Sequence, residues 1–172
     1  MLIDEFLPEY DFEETHDIRI GARAPDVYAK LMDVDFSESV IVKWLLRLRG
    51  MSSEGVTIRN LRKFRFETLG EMANKELLMG LAGRFWTPWG DLQMINAENF
   101  KAFDKKGYAK AVWNFSLDGS GDETHLKTET RIRCLDAASR KSFGFYWTFI
   151  QPFSGLIRME MLKTIKRKAE GM

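Results

Sequence analysis

Cysteine is nearly missing from this chain. Cys134 is the only one among 172 residues, so an internal disulfide is excluded and a reducing, cytoplasmic setting is expected. Histidine is almost as scarce: His16 and His125 stand far apart with no CxxC or HxxxH spacing around them, so no metal and no cofactor is expected. Charge of one sign is also lacking. Lys and Arg number 26 against 25 Asp and Glu, a formal net charge of +1, which argues against nucleic acid as a partner. No apolar run is long enough for a transmembrane segment. The most apolar window, Phe143 to Ile157, is interrupted by Gln151-Pro152 and followed by Arg158 and Glu160. Met1 to Tyr10 holds acids and a proline but no basic start and apolar core, so no signal peptide is expected. Gly80-Leu81-Ala82-Gly83 lacks the lysine and the strand-to-helix context of a phosphate loop.

What the chain does have is a mixture suited to a folded core. Hydrophobic residues make up 45% and charged residues 30%. A chain of this length is expected to form one domain, residues 1–172, burying about 70% of its unfolded surface. No linker, repeat or low-complexity segment divides it. Asp11 to Gly21 alternates, with Phe12, Glu14, His16, Ile18 and Ile20 on one face, as in a half-buried strand. Ala24-Pro25-Asp26 then opens a helix carrying Val27, Leu31 and Val34. A second short helix is expected from Ser37 or Ser39 to Gly50.

From about Thr57 to Leu135 the pattern is antiparallel. Phe64, Phe66 and Thr68 share a face, a turn is expected around Gly70, and Leu77, Met79 and Leu81 share the next face. Met94 to Phe103 reads as a less regular strand, with a turn at Asp104 to Gly107. Ala109, Ala111, Trp113, Phe115 and Leu117 give the cleanest alternation, followed by a hairpin loop at Asp118 to Asp122. On the last strand Leu126, Thr128, Thr130, Ile132 and Cys134 point inward. His125, Lys127, Glu129, Arg131 and Arg133 are expected on a solvated outer face.

Asp136 can cap a long terminal helix reaching to about Glu170. Phe143, Tyr146, Trp147, Ile150, Ile157, Met161 and Ile165 recur on one side of it, and Pro152 should bend it. A second stripe, Phe145, Phe149 and Leu156, lies well round from the first. Packing against the N-terminal segment is its first explanation; a homodimer interface or membrane contact comes next. Arg84 to Gly90 is a proline-broken aromatic loop that either caps one end of the core or forms a rim over a cavity mouth.

The order strand, two helices, several strands, one long helix resembles the helix-grip fold of the START-like superfamily, also called polyketide cyclase–dehydrase or SRPBCC. That superfamily includes plant pathogenesis-related proteins, polyketide cyclases and lipid-transfer domains. The resemblance covers nearly the whole chain and looks most like a bacterial branch. It rests on the opening strand running into Ala22-Arg23-Ala24-Pro25-Asp26-Val27-Tyr28 and on Gly80-Leu81-Ala82-Gly83-Arg84-Phe85-Trp86. Thr128-Glu129-Thr130-Arg131-Ile132-Arg133, Phe145-Tyr146-Trp147-Thr148-Phe149-Ile150-Gln151-Pro152 and Ile157-Arg158 also carry it. It implies an α+β fold in which a curved antiparallel sheet is crossed by the C-terminal helix, and a cavity between the two.

Hydroxyls on an apolar wall suit such a cavity, because a few polar contacts orient a mostly nonpolar ligand. Thr128 and Thr130 are the inward hydroxyls, although β-propensity alone also explains them. The expected function is therefore non-catalytic binding or transport of a small hydrophobic molecule or lipid. Its wall would be Phe64, Phe66, Met79, Leu81, Trp113, Phe115, Thr128, Thr130, Ile132, Phe143, Trp147 and Ile150. No catalytic residue is assigned. The alternative is an enzyme of the cyclase, aromatase or dehydratase type, for which Glu14, His16, Arg84 and Tyr146 are the inward polar candidates. A filled core without a cavity is the third reading.

Overall fold

Among the described residues, alternation of apolar side chains assembles five strands into one antiparallel sheet. They are β1 (Phe12–Ile20), β2 (Glu67–Met72), β3 (Glu76–Gly83), β4 (Ala109–Ser120) and β5 (Glu123–Cys134), in the order β1-β5-β4-β3-β2. This computed structural model describes residues 1–36, 57–60 and 65–171. The first strand pairs with the last, Phe12 opposite Ile132 and Ile20 opposite Thr124. Around the sheet lie α1 (Leu2–Phe6), α2 (Ala24–Asp33) and α3 (Ala137–Ala169). The α+β architecture and the long helix across the sheet are as the sequence reading expects. The second short helix, Ser37 to Gly50, and Phe64 lie outside the described residues.

Local chemistry sets the ends of α3. The Asp136 carboxylate accepts from the Ser139 backbone N–H at 2.7 Å, and the Ser139 hydroxyl reaches back to the Asp136 N–H at 3.2 Å. This reciprocal capping fixes where the helix starts. Lys166, Arg167 and Lys168 in the last turn complement the negative end of its dipole. At 33 residues α3 is about 50 Å long and runs without interruption through Pro152. It packs chiefly along β1, with α2 and β5 as its next neighbours. Gly144 and Gly155 allow that approach, since a Cβ at Gly144 would stand 3.3 Å from the Phe12 ring.

Several expectations shift. Gly70 sits inside β2 at an irregularity between Thr68 and Gly70, and the turn falls at residues 73–75. Met94 to Phe103 forms turns and irregular chain rather than a strand. Its apolar residues serve another purpose: Ile95 and Phe100 cover the far face of the sheet. The β4–β5 hairpin is tighter than Asp118 to Asp122, because pairing continues to Ser120 opposite Glu123 and Gly121 takes a φ of +61°.

The largest correction concerns the middle of that far face, which is buried. Leu78, Ala82 and Val112 pack there against Ile3, Leu7, Leu69, Ile95 and Phe100. Glu129 is only 4% exposed and Arg131 only 9%, so they do not form a solvated face. Buried charge must be paired, and it is. Arg131 contacts Glu129 at 2.6 Å and Asp4 at 2.9 Å, and donates to the Leu7 carbonyl at 3.2 Å. Glu76 accepts from the N–H groups of Leu2 and Ile3 at 2.8 and 3.3 Å and from Asn114 Nδ2 at 2.8 Å. The Asn114 Oδ1 in turn accepts from the Glu129 N–H at 3.0 Å. Burial alone would raise the Glu129 carboxyl, but hydrogen bonds from Lys127 and Arg131 outweigh it and hold the group below its ordinary value.

Candidate functional site

On the helix-facing side the apolar residues gather at the two ends of α3. Leu81, Ala109, Ala111, Ile132 and Cys134 pack with Phe143 near its start. Ile20, Val27, Leu31, Leu77, Met79, Trp113, Phe115 and Leu126 pack with Met161, Leu162 and Ile165 near its end. Phe66 touches both groups.

Between the clusters runs a polar band, which the strand register lays out. Glu14 lies opposite Thr130, and Thr130 opposite Trp113; His16 lies opposite Thr128, and Thr128 opposite Phe115. From the helix, Ser154 Oγ donates to Glu14 Oε2 at 2.6 Å. The His16 Nε2 meets the other oxygen, Glu14 Oε1, at 3.0 Å. Gly155 lets the helix settle here: a Cβ would come within 3.1 Å of Glu14 Oε1 and 3.4 Å of the His16 ring. One turn on, the Arg158 guanidinium stands 3.7 Å from the centre of the Trp113 ring, a cation–π contact. The indole N–H of Trp113 donates to Thr128 Oγ1 at 2.7 Å, and that hydroxyl donates to the Asn114 carbonyl at 2.8 Å.

Helix and sheet are unequally covered. Between Gly144 and Glu160 no helix residue is buried, whereas Glu14, Trp113, Thr128 and Thr130 on the strands are. A carboxylate bound to an imidazole fixes that ring's orientation and tautomer; with Nε2 donating to Glu14, the Nδ1 of His16 is left as an acceptor. Ser154 donates to the carboxylate and not to the imidazole, so the trio is not a serine nucleophile with its base.

The expected wall residues distribute over this frame. Met79, Trp113 and Phe115 belong to the cluster at the helix end, and Leu81, Ile132 and Phe143 to the cluster at its start. Trp147 stacks on Phe143 with ring centres 5.7 Å apart, Ile150 is half-buried, and Thr128 and Thr130 lie in the band. Ser154, Gly155 and Arg158 escaped the sequence reading. Their signal was there: Trp147, Ile150, Ser154, Arg158 and Met161 share one helical line, with two polar residues inside an apolar stripe.

The aromatic loop at Arg84 to Gly90 caps the core end. Phe85 and Trp86 set their edges against Phe143 at 5.6 and 5.7 Å, and the Trp86 indole donates to Ser142 Oγ at 2.9 Å.

No protein-family model and no curated protein matches this chain in sequence. Among solved structures it is similar to a conserved protein of Geobacillus kaustophilus, at 11% identity over 92% of this chain and 95% of that one, with a TM-score of 0.49. A Thermus thermophilus protein aligns at 10% identity over 92% and 97% of the two chains, TM-score 0.41. The aromatase/cyclase Zhui from a Streptomyces species aligns at 13% identity over 92% and 93%, TM-score 0.32.

Proposed function

We propose that the chain binds a small, largely hydrophobic molecule with a polar end between the sheet and the middle of α3, without transforming it. The observation behind this reading is the unequal cover: no helix residue between Gly144 and Glu160 is fully buried, while the strand residues it faces are, between two apolar clusters that the sheet joins into one surface. Trp113, Met79, Phe66 and Ile150 supply apolar area. The Thr130 hydroxyl makes no hydrogen bond to a described residue and, on the strand position opposite Glu14 and Trp113, is offered to a polar group of the ligand. Mass spectrometry of the natively purified protein should detect a hydrophobic small molecule. Filling the space with Thr130→Phe should expel it while the fold persists. Protein that carries no such molecule and takes up no hydrophobic probe would rule the reading out.

A second reading is favoured by the Glu14–His16 contact alone: an enzyme of cyclase, aromatase or dehydratase type with His16 as its base. His16→Gln separates the two. A carrier loses little affinity, whereas an enzyme stops converting the co-purified molecule yet still binds it.

A further inference from the structure

α3 turns a second apolar stripe away from the sheet. Phe145, Phe149, Phe153 and Leu156 are 72%, 60%, 43% and 54% exposed. Steps of four, four and three residues place them on one line of the helix. The N-terminal segment expected to cover them lies elsewhere, since α1 packs on the far face of the sheet. The same line continues past both ends of the stripe, to exposed Lys141 before Phe145 and to exposed Lys163 and Arg167 after Leu156. Every exposed charged residue of α3 is basic: Arg140, Lys141, Lys163, Arg167 and Lys168. Its acid, Glu160, is half-buried and 3.5 Å from Lys163. In a chain whose net charge is only +1, this one face is apolar in the middle and cationic at both ends.

We propose that this face of α3 docks on an anionic lipid bilayer with the helix axis in the membrane plane. Phenylalanine and leucine in the centre would sink to the boundary of the acyl chains, and the flanking Lys and Arg would reach lipid phosphates. Spanning is not the mode, because no described helix is long and apolar enough to cross a membrane. A second copy is the rival occupant, and charge decides against it. Antiparallel pairing about Phe153 sets the Lys141 end of one helix on the Lys163–Arg167 end of the other, and parallel pairing sets like on like. Each arrangement opposes cation to cation, whereas a phosphate surface answers both ends. The proposal is independent of what the helix–sheet interior holds.

Flotation of the purified full chain tests it, using phosphatidylcholine vesicles with and without roughly one third phosphatidylglycerol. The protein should float with the anionic vesicles only and be released by added salt. Phe145→Ser with Phe149→Ser, and separately Lys141→Glu with Lys163→Glu, should each lower partitioning about tenfold or more at unchanged circular dichroism. If a double variant misfolds, Leu156→Ser alone provides the same comparison at a smaller drop. Failure to bind either vesicle overturns the proposal, as does flotation that the variants leave unchanged. A dimer in sedimentation equilibrium that Phe149→Ser dissolves, without flotation, assigns the face to a second copy instead.

Discussion

The Trp113 indole and the Thr128 hydroxyl are hydrogen-bonded partners on adjacent strands, 2.7 Å apart in the buried face of the sheet. Threonine at 128 therefore has a task that valine of the same shape cannot perform. Thr128→Val leaves the Trp113 N–H and the Asn114 carbonyl without this partner. The expected loss is about 1–3 kcal/mol in urea unfolding, against a near-neutral effect for Thr130→Val, which breaks no such bond. Equal losses for the two would show that the hydrogen bond is not what distinguishes them.

Glu76 is the anchor of α1. It holds the N–H groups of Leu2 and Ile3 and the Asn114 amide together in a buried site. Glu76→Ala should cost about 1–3 kcal/mol, because buried donors lose their acceptor. It should also free residues ahead of β1, seen as rapid cleavage near Phe6 in limited proteolysis of an otherwise folded protein.

Acid should weaken the fold through Glu129. Its carboxyl is held below the ordinary value, so the folded state favours the charged form. That contribution is complete above the ordinary glutamate pKa of about 4.3 and is lost as pH falls through the lower folded value. Glu129→Gln should be less stable than the parent at neutral pH and show a flatter decline between about pH 4.5 and pH 2. Parallel curves for the two proteins would remove Glu129 from the account.

Cys134 should be inert while the chain is folded. Burial, helped by the nearby Asp11 carboxylate, pushes its thiol up to about 12. Iodoacetamide at mildly alkaline pH should leave the native protein unlabelled and alkylate it fully once urea unfolds it. Rapid native labelling would place the side chain outside the core.

How much of this was legible beforehand depended on local period. β1 and β5 alternate, β4 does so save for Val112, and both Asp136 and the long apolar stripe mark α3, so these elements could be read from neighbours in sequence. Residues that work across long separations could not. Glu129 and Arg131 look like a solvated row because alternation only tells inside from outside for a sheet with one covered face. Here α1 and the chain around Phe100 cover the other face, and no periodicity announces it. Ile95 and Phe100 resembled a strand because apolar residues in irregular chain lack a period of their own. The polar band was half visible: Glu14 and His16 were seen facing inward, but Ser154 and Arg158 acquire meaning only when the helix is laid over β1.

The pairing of β1 with β5 has a consequence for how the protein is made. Phe12 leaves the ribosome well before Ile132, which it faces and which appears only after β2, β3 and β4 have been synthesised. Closing so long a loop is entropically slow, and chains dominated by such distant pairs reach the native state late. Until β5 emerges, the nascent β1 must wait with Ile18 and Ile20 uncovered. The Glu13, Asp17 and Arg19 charges interspersed along it oppose pairing with other chains during that interval. The sheet cannot close until Ile132 has been built, about 120 residues after Phe12, with α3 still to follow.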